Sequence, residues 1–323
     1  MLPCVFHENV PAAAREIMHV TLIHNPGAGD DARHDADELR TLVRAAGHEV
    51  AYHSSKKKGW KKALADAREL VAVAGGDGTV GKVAKRLAGR GVPLAVLPLG
   101  TANNIARTLG LTGHTAEQLI AGWARARRVP FDIGVADGPW GECRFIESVG
   151  AGLFASLMAK LDARDNLALA HVADPEERLR HVVRLLRERV RDWPAKPLRV
   201  ELDGADLSGA YFLLEVLNIR HVGPNLMLAP AADPGDARLD VLLLADGDRA
   251  ALDAYLAGCL SGRDAVPVLP VRRVRRVRFE WTGFGLHLDD EAWPGAADSF
   301  PLTPAEIDLR LDPHALELLV PAD

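Results

Sequence analysis

VAVAGGDGTVGKVAKRLAGRGVPLAVLPLGTANNIARTLG, residues 71–110, decides the reading of the chain. An apolar run, Leu70 to Ala74, ends in Gly75-Gly76-Asp77-Gly78-Thr79, and a helical pattern follows with a glycine stop at Gly89. A second apolar run, Pro93 to Leu97, ends in Gly100-Thr101-Ala102-Asn103-Asn104 and opens another helix. Strand, small-residue loop and helix, twice over, is how an α/β sheet presents polar loops beyond the carboxyl ends of its strands, where ligands bind. Glycines there let backbone N–H groups approach phosphate closely, and the helix N-termini behind them favour anions. A buried carboxylate such as Asp77 in a phosphate loop needs a cation partner, which implies a metal. The two loops predict a nucleotide site.

Gly76 to Lys82 also fits the GxxxxGK pattern of a P-loop. Val83 stands where that loop needs Ser or Thr for magnesium, so the match is coincidental. At 323 residues, 48% apolar and 26% charged, the chain can form one or two domains with ample core. A formal net charge of −5 argues against a general nucleic-acid binder. Cys4, Cys143 and Cys259 form no CxxC and lie far apart, the usage of a reduced compartment. No apolar run approaches the ~18 residues of a membrane span. The first residues, MLPCVFHENVPAAAREIM, lack the basic region and long apolar stretch of a secretory signal. A cytoplasmic protein is expected.

Residues 1–17 read as a weakly ordered tail and His19–His24 as the first strand, broken by the turn residues Asn25-Pro26-Gly27-Ala28-Gly29. Leu39, Leu42, Val43 and Ala46 share a helical face that stops at Gly47, and a strand follows at Glu49–Ser54. Lys56 to Lys62 holds five lysines in seven residues. They either clasp phosphate or an anionic surface, or form a solvated loop and helix start. Thr115 with Gln118 is a capping box. Asp132 lies in an apolar strand, Val129–Gly134, which is costly without a partner.

From Cys143 onward the texture changes to short apolar or alternating runs separated by Gly, Asp and Pro turns. That argues for an antiparallel sandwich rather than further βαβ units. Asp174-Pro175-Glu176-Glu177 starts a helix with a cap, a proline and acids. Its apolar stripe, Leu179, Val182, Val183, Leu186 and Val190, is flanked by arginines. Such a helix lies on anionic lipid or packs on the sheet with its arginines in water. Val271–Trp281 is strand-like and densely basic, either a charge-protected edge or a headgroup contact.

GGDGT together with PLGTANNIAR resembles the diacylglycerol kinase catalytic-domain family, bacterial lipid kinases related to sphingosine and ceramide kinases. The resemblance spans roughly residues 19–320 and implies two domains. These are an N-terminal three-layer α/β nucleotide domain (18–135, joined by 306–323) and a C-terminal antiparallel β-sandwich lipid-substrate domain (136–305). It implies that ATP is held by Asn25, Ser55 and the loops Gly75–Thr79 and Gly100–Asn104. The family's second loop usually reads GTxNDFAR, and Asn104 stands here where the Asp is usual; Gly81 replaces a usual Asn. The resemblance joins Asp132 to Asp77 around a catalytic Mg2+; an Asp bonded to backbone at a strand end is the other reading of Asp132.

Asp233-Pro-Gly-Asp236-Ala-Arg238-Leu-Asp240 resembles the family's DDGxLD turn, which binds a structural Mg2+. The ligands carry over to the Asp236 carboxylate and the carbonyls of Asp233 and Arg238. Ala237 replaces a Gly there, so a positive φ would be strained; a plain Asp-rich turn is the alternative. Leu288-Asp289-Asp290-Glu291 resembles the family's DGE, whose Glu is the general base, with Asp290 in place of Gly. Glu291, Asp77 and Asp289 are thus the expected catalytic carboxylates, and their clustering suits a base that takes a proton from an alcohol.

The implied activity is transfer of the ATP γ-phosphate to a lipid hydroxyl, diacylglycerol by default or a sphingoid or ceramide-type lipid. ATP and Mg2+ are the cofactors. The partners are a lipid substrate presented at a membrane surface, with peripheral contact at the inner face and a homodimer left open; no nucleic acid is expected. A kinase of a soluble substrate, like the NAD kinases that share GGDGT, and a non-catalytic nucleotide or lipid sensor stay open beside it.

Overall fold

The computed structural model describes residues 17–29, 34–164, 172, 174–262, 265–293 and 304–322, with backbone alone for 159–164. The expected tail, apart from Ile17, lies outside the described residues. The first half alternates strand and helix. Its elements are β1 (His19–His24), α1 (Ala36–Ala45), β2 (Glu49–Ser54), α2 (Trp60–Asp66), β3 (Leu70–Gly75), α3 (Asp77–Leu87) and β4 (Leu94–Pro98). Two short helices, α4 (Asn104–Thr108) and α5 (Ala116–Gly122), complete it. Asp35 caps α1 by accepting from the N–H groups of Asp37 and Glu38, and Thr115 with Gln118 closes the expected capping box on α5. Each such cap is worth ~1 kcal/mol.

The strands run parallel in the order β2-β1-β3-β4. Every residue of β3 is buried, which is why LVAVAG reads as an unbroken apolar run rather than an alternation. From β1 the chain goes outward to β2 and returns across β1 to β3. The topological switch point therefore falls between β1 and β3, and the loops after both strands open side by side there.

The second half begins with β5 (Arg127–Gly138), β6 (Gly141–Phe145), β7 (Ser148–Gly152) and α6 (Leu153–Arg164). Next come α7 (Pro175–Val190), β8 (Lys196–Leu198), β9 (Val200–Leu202), β10 (Ala205–Asp206), β11 (Gly209–Tyr211) and β12 (Leu213–Leu217). Then follow β13 (His221–Val222), β14 (Leu226–Met227), β15 (Leu239–Leu244) and α8 (Arg249–Leu260). The last strands are β16 (Val271–Val274), β17 (Arg276–Trp281), β18 (Leu286–Leu288), β19 (Glu291–Trp293) and β20 (Ala305–Val320). One antiparallel sheet has the order β16-β15-β12-β7-β18-β19. It faces a second sheet across a core that includes Val149, Val216 and Val241 on one side and Val277, Phe279 and Leu309 on the other. This is the expected sandwich.

The two halves share a sheet. β20 runs through Pro313 as one long strand paired antiparallel with β5, with a register shift between Asp312 and Leu316. Its first part pairs with β17 in the sandwich, and Leu318 pairs with Leu94 of β4 in the parallel sheet. The basic run 271–281 also differs from expectation. It splits at Arg275, β16 pairing with β15 in one sheet and β17 with β9 and β20 in the other.

Helix α7 packs on the sandwich. Val183, Leu186 and Val190 are buried with Leu213, Leu217 and Leu242. Arg184 pairs with Glu177 at 2.8 Å and Arg187 with Asp253 at 2.8 Å. These pairs are solvated and contribute ~1 kcal/mol or less, whereas each buried aliphatic side chain contributes ~1.5–3 kcal/mol. The apolar stripe is what docks the helix. Among the described residues no helix is long and apolar enough to cross a membrane.

Candidate active site

The two glycine loops meet backbone to backbone. A Cβ on Gly100 would lie 2.4 Å from the Gly76 Cα, so neither position has room for a side chain. The first loop joins them: Asn25 N–H donates to the Ala74 carbonyl (2.9 Å), and Asn25 Nδ2 donates to Thr79 Oγ1 (3.2 Å). Asn103, at φ +53°, folds its side chain back on Gly100, accepting from Gly100 N–H (2.9 Å) and donating to the Gly100 carbonyl (2.6 Å). Gly81, where an Asn was usual in the resembling pattern, is buried; a Cβ there would lie 3.3 Å from Ile146 Cγ2, too close for a longer side chain.

Beside Gly100 and Thr101 opens a cavity of about 780 Å³, whose wall also includes His24, Tyr52, His114 and Glu176 of α7. His24 Nδ1 and the Tyr52 hydroxyl are 3.0 Å apart. Burial lowers the His24 pKa, so the ring is neutral at this wall. Ser55, expected as a nucleotide contact, is not part of the wall; its N–H donates to the His24 carbonyl (2.7 Å). The lysines of 56–62 are exposed, as a solvated loop and helix start would have them.

Behind the loops lies a group of carboxylates. Asp77 opens α3, and its two oxygens accept from Asn104 N–H (2.9 Å) and Ile105 N–H (3.0 Å), so it fastens the GGDGT loop to the start of α4. Burial pushes the Asp77 carboxyl above its usual range against those two bonds, and the charge of Asp290 adds to the rise. Asn104 is 3% exposed; its Nδ2 donates to the Gly223 carbonyl (3.0 Å) and to Glu147 Oε2 (3.3 Å), while its Oδ1 is buried without a hydrogen-bond partner among the described residues. Burial raises the Glu147 pKa well above the usual carboxylate range, and the charges of Asp77, Asp289 and Asp290 push the same way.

Asp289 was expected among the catalytic carboxylates. It is a fastener instead: Oδ1 accepts from Ile146 N–H (2.9 Å) and Glu147 N–H (2.8 Å), and Oδ2 pairs with Lys85 of α3 at 2.5 Å. The left-handed residue of this turn is Asp289, φ +54°, the one before Asp290. Asp290 is exposed and reaches over α3, where a Cβ on Gly78 would lie 2.5 Å from its Oδ2. Glu291 is exposed at the start of β19.

Asp132 is held within the second half of the chain. Its oxygens accept from Ala237 N–H (2.7 Å) and His314 N–H (2.7 Å), tying β5 to the 233–238 turn and to the bulge of β20. Both oxygens are thus held by backbone N–H groups, as the other reading of Asp132 has it. Ala237 does take the left-handed backbone, φ +57°. Within the turn Asp233 accepts from Gly235 N–H (3.0 Å), and Asp236 accepts from Arg238 N–H (2.9 Å) and pairs with Arg273. The guanidinium already neutralises the carboxylate expected to bind a structural cation, so this turn fits that cation poorly.

The catalytic cation fits better. Among the described residues no three His, Cys, Asp or Glu side chains form a ready-made cage. Mg2+ commonly uses one or two carboxylates and completes its shell with phosphate oxygens and water. The donors around Asn104 are all oxygens, and one of them is an orphan. Glu147, Lys85 and the His24–Tyr52 wall were not singled out from sequence. For Glu147 the signal was a charged residue inside the apolar run Phe145-Ile-Glu-Ser-Val149.

Glycine loops in backbone contact beyond the carboxyl ends of β3 and β4, with buried carboxylates facing a β-sandwich, define a kinase-type phosphotransfer fold. Residues 19–136 match the diacylglycerol kinase catalytic domain, and residues 155–320 match the YegS C-terminal NAD kinase beta sandwich-like domain. The chain is 30% identical over 304 residues to a Pseudomonas aeruginosa protein called "Probable lipid kinase YegS-like", covering 90% of this chain and 93% of that one. It is 27% identical over 324 residues to a diacylglycerol kinase of Mycobacterium tuberculosis, covering 95% and 96%. The crystal structure of a diacylglycerol kinase from Bacillus anthracis shares its fold, with a TM-score of 0.66 and 21% identity over 93% of this chain and 96% of that one. The chain belongs to the family of diacylglycerol kinase and YegS-like bacterial lipid kinases. It carries that family's kinase catalytic domain, and membership implies dependence on ATP and Mg2+.

Proposed function

We propose that the chain is an ATP-dependent lipid kinase that moves the γ-phosphate of ATP onto a lipid hydroxyl. Diacylglycerol is the default acceptor and sphingoid or ceramide-type lipids are next. The observation that carries this is the contact of Gly76 with Gly100 beside the half-buried Asp77, with the 289–291 turn of the sandwich reaching over Gly78. The loop amides of Gly75–Thr79 and Gly100–Asn104 orient the phosphates, and the cavity along His24 and Tyr52 takes the nucleoside; its ~780 Å³ lies in the range of small-molecule sites. Mg2+ held by Asp77 and Asn104 would neutralise charge on the phosphoryl oxygens. Glu291 takes the proton from the lipid hydroxyl as it attacks in line. Positioning and neutralisation supply most of the rate in such transfers. The enzyme works in the cytoplasm and meets its acceptor at the inner membrane face.

The test is transfer of radiolabel from γ-labelled ATP, with Mg2+, into a total lipid extract resolved against standards. A labelled lipid that disappears with Asp77→Ala supports the reading, and its mobility names the acceptor. Label confined to water-soluble product would make it a kinase of a soluble substrate. ATP bound but never turned over would make it a sensor.

A further inference from the structure

Asn104 sits where the resembling loop pattern has an aspartate, so one carboxylate expected in the site is missing from α4. The structure puts one beside it. Glu147, in the link between β6 and β7, is 5% exposed and its Oε2 lies 3.3 Å from Asn104 Nδ2. The same Asn104 donates its backbone N–H to Asp77, so this one residue touches both carboxylates. We propose that Glu147 is a cation-contacting residue of the phosphotransfer site: it supplies, together with Asp77, the second carboxylate for a divalent cation, the charge having moved across the Asn104–Glu147 contact from position 104.

Three observations support it. The first is charge. Glu147 pairs with no lysine, arginine or histidine among the described residues, and the nearby Lys85 is taken by Asp289. Buried anions without a cation are costly, and removing them from water is repaid only by a close opposite charge. The second is the orphan: Asn104 Oδ1 is buried, has no hydrogen-bond partner among the described residues and belongs to a residue that touches both acids. A neutral amide oxygen on a residue that touches both carboxylates is donor chemistry for a hard cation. The third is support. The backbone N–H of Glu147 is pinned by Asp289 and that of Asn104 by Asp77, so the groups are fixed by rigid backbone rather than by exposed rotamers.

The inference rests on the kinase reading above, and its test separates the two. Mn2+ is titrated into the full chain, with and without a non-hydrolysable ATP analogue, and free Mn2+ is read by electron paramagnetic resonance. Wild type, Asp77→Asn, Glu147→Gln and the double variant Asn104→Asp/Glu147→Gln are compared after their melting curves confirm folding. Glu147→Gln is expected to weaken Mn2+ binding about tenfold or more, with analogue binding in the absence of metal unchanged. The double variant restores one carboxylate to the pair and is expected to return to within about threefold of wild type. If Glu147→Gln binds Mn2+ like wild type while Asp77→Asn does not, Glu147 is structural and the proposal is overturned. Were Asp77→Asn also to bind like wild type, the phosphotransfer site itself would be misplaced. Should Glu147→Gln fail to fold, the double variant decides: near-wild-type affinity supports the transposed charge, and a loss equal to that of Asp77→Asn overturns it.

Discussion

Lys85 Nζ lies 2.5 Å from Asp289 Oδ2, and through that carboxylate α3 is tied to the β18–β19 turn. The other oxygen of Asp289 holds the N–H groups of Ile146 and Glu147. One side chain thus fixes the GGDGT helix, the link into the sandwich and the turn that carries Asp290 and Glu291. Asp289→Ala is expected to destabilise the fold by ~3 kcal/mol. That is the lower end for breaking a buried pair, because the Lys85 side chain keeps 28% exposure. Urea denaturation checks it; a loss below about 1 kcal/mol, the scale of a surface pair, would show that the clasp is not holding the halves together.

Gly150 is required by a buried pair on neighbouring strands. His287 Nε2 and Glu215 Oε2 are 3.1 Å apart, and a Cβ on Gly150 would lie 2.3 Å and 2.2 Å from those same atoms. Gly150→Ala must separate them inside the sheet. The expected cost is ~3 kcal/mol or more, from overpacking and from polar groups left without partners. Gly285→Ala, with nothing among the described residues within 4 Å of its Cβ, is the control and is expected to be near neutral. Thermal melts of the two variants check the contrast.

What could be read in the sequence was local. The glycine loops announce themselves because close backbone approach leaves room for nothing else, as Gly76 and Gly100 confirm. The strain at Ala237 was legible from a turn pattern alone. Asp132 was legible as a buried acid needing partners, but those partners, Ala237 and His314, are 105 and 182 residues away and no local pattern points to them. The pairing of β5 with β20 was hidden for the same reason, since Pro313 reads as a break and the bulge between Asp312 and Leu316 absorbs it. Glu147 was passed over because a single charge in an apolar run has no period, and its meaning comes from Asn104 across the fold.

His221 is expected to make stability depend on pH. Burial first, then the charges of Arg107 and Arg220, lower its pKa from 6.5 to about 4. Between those values the unfolded chain binds more protons than the folded one, so stability rises with pH through the window and is fully present above it. His221→Asn should flatten the slope of melting temperature against pH between about 4 and 6.5. An unchanged slope would assign the acid sensitivity to other groups.

Glu291 and Asp290 make different predictions as the base. Asp290 lies over Gly78 and raises the pKa of Asp77, whereas Glu291 is exposed at the mouth of the turn, where an acceptor hydroxyl can arrive. A carboxylate pressed against a phosphate loop repels the nucleotide unless a cation intervenes, which suits Asp290 to setting metal and nucleotide affinity. Glu291→Gln is therefore expected to lower kcat by ~10²–10⁴, the usual worth of a general base, with KM for ATP little changed. Asp290→Asn is expected to move KM for ATP more than kcat. Steady-state kinetics on both variants decide it, with lipid acceptor saturating. The reverse pattern, kcat lost with Asp290→Asn and kept with Glu291→Gln, would transfer the proton-accepting role to Asp290, the carboxylate closer to the loops.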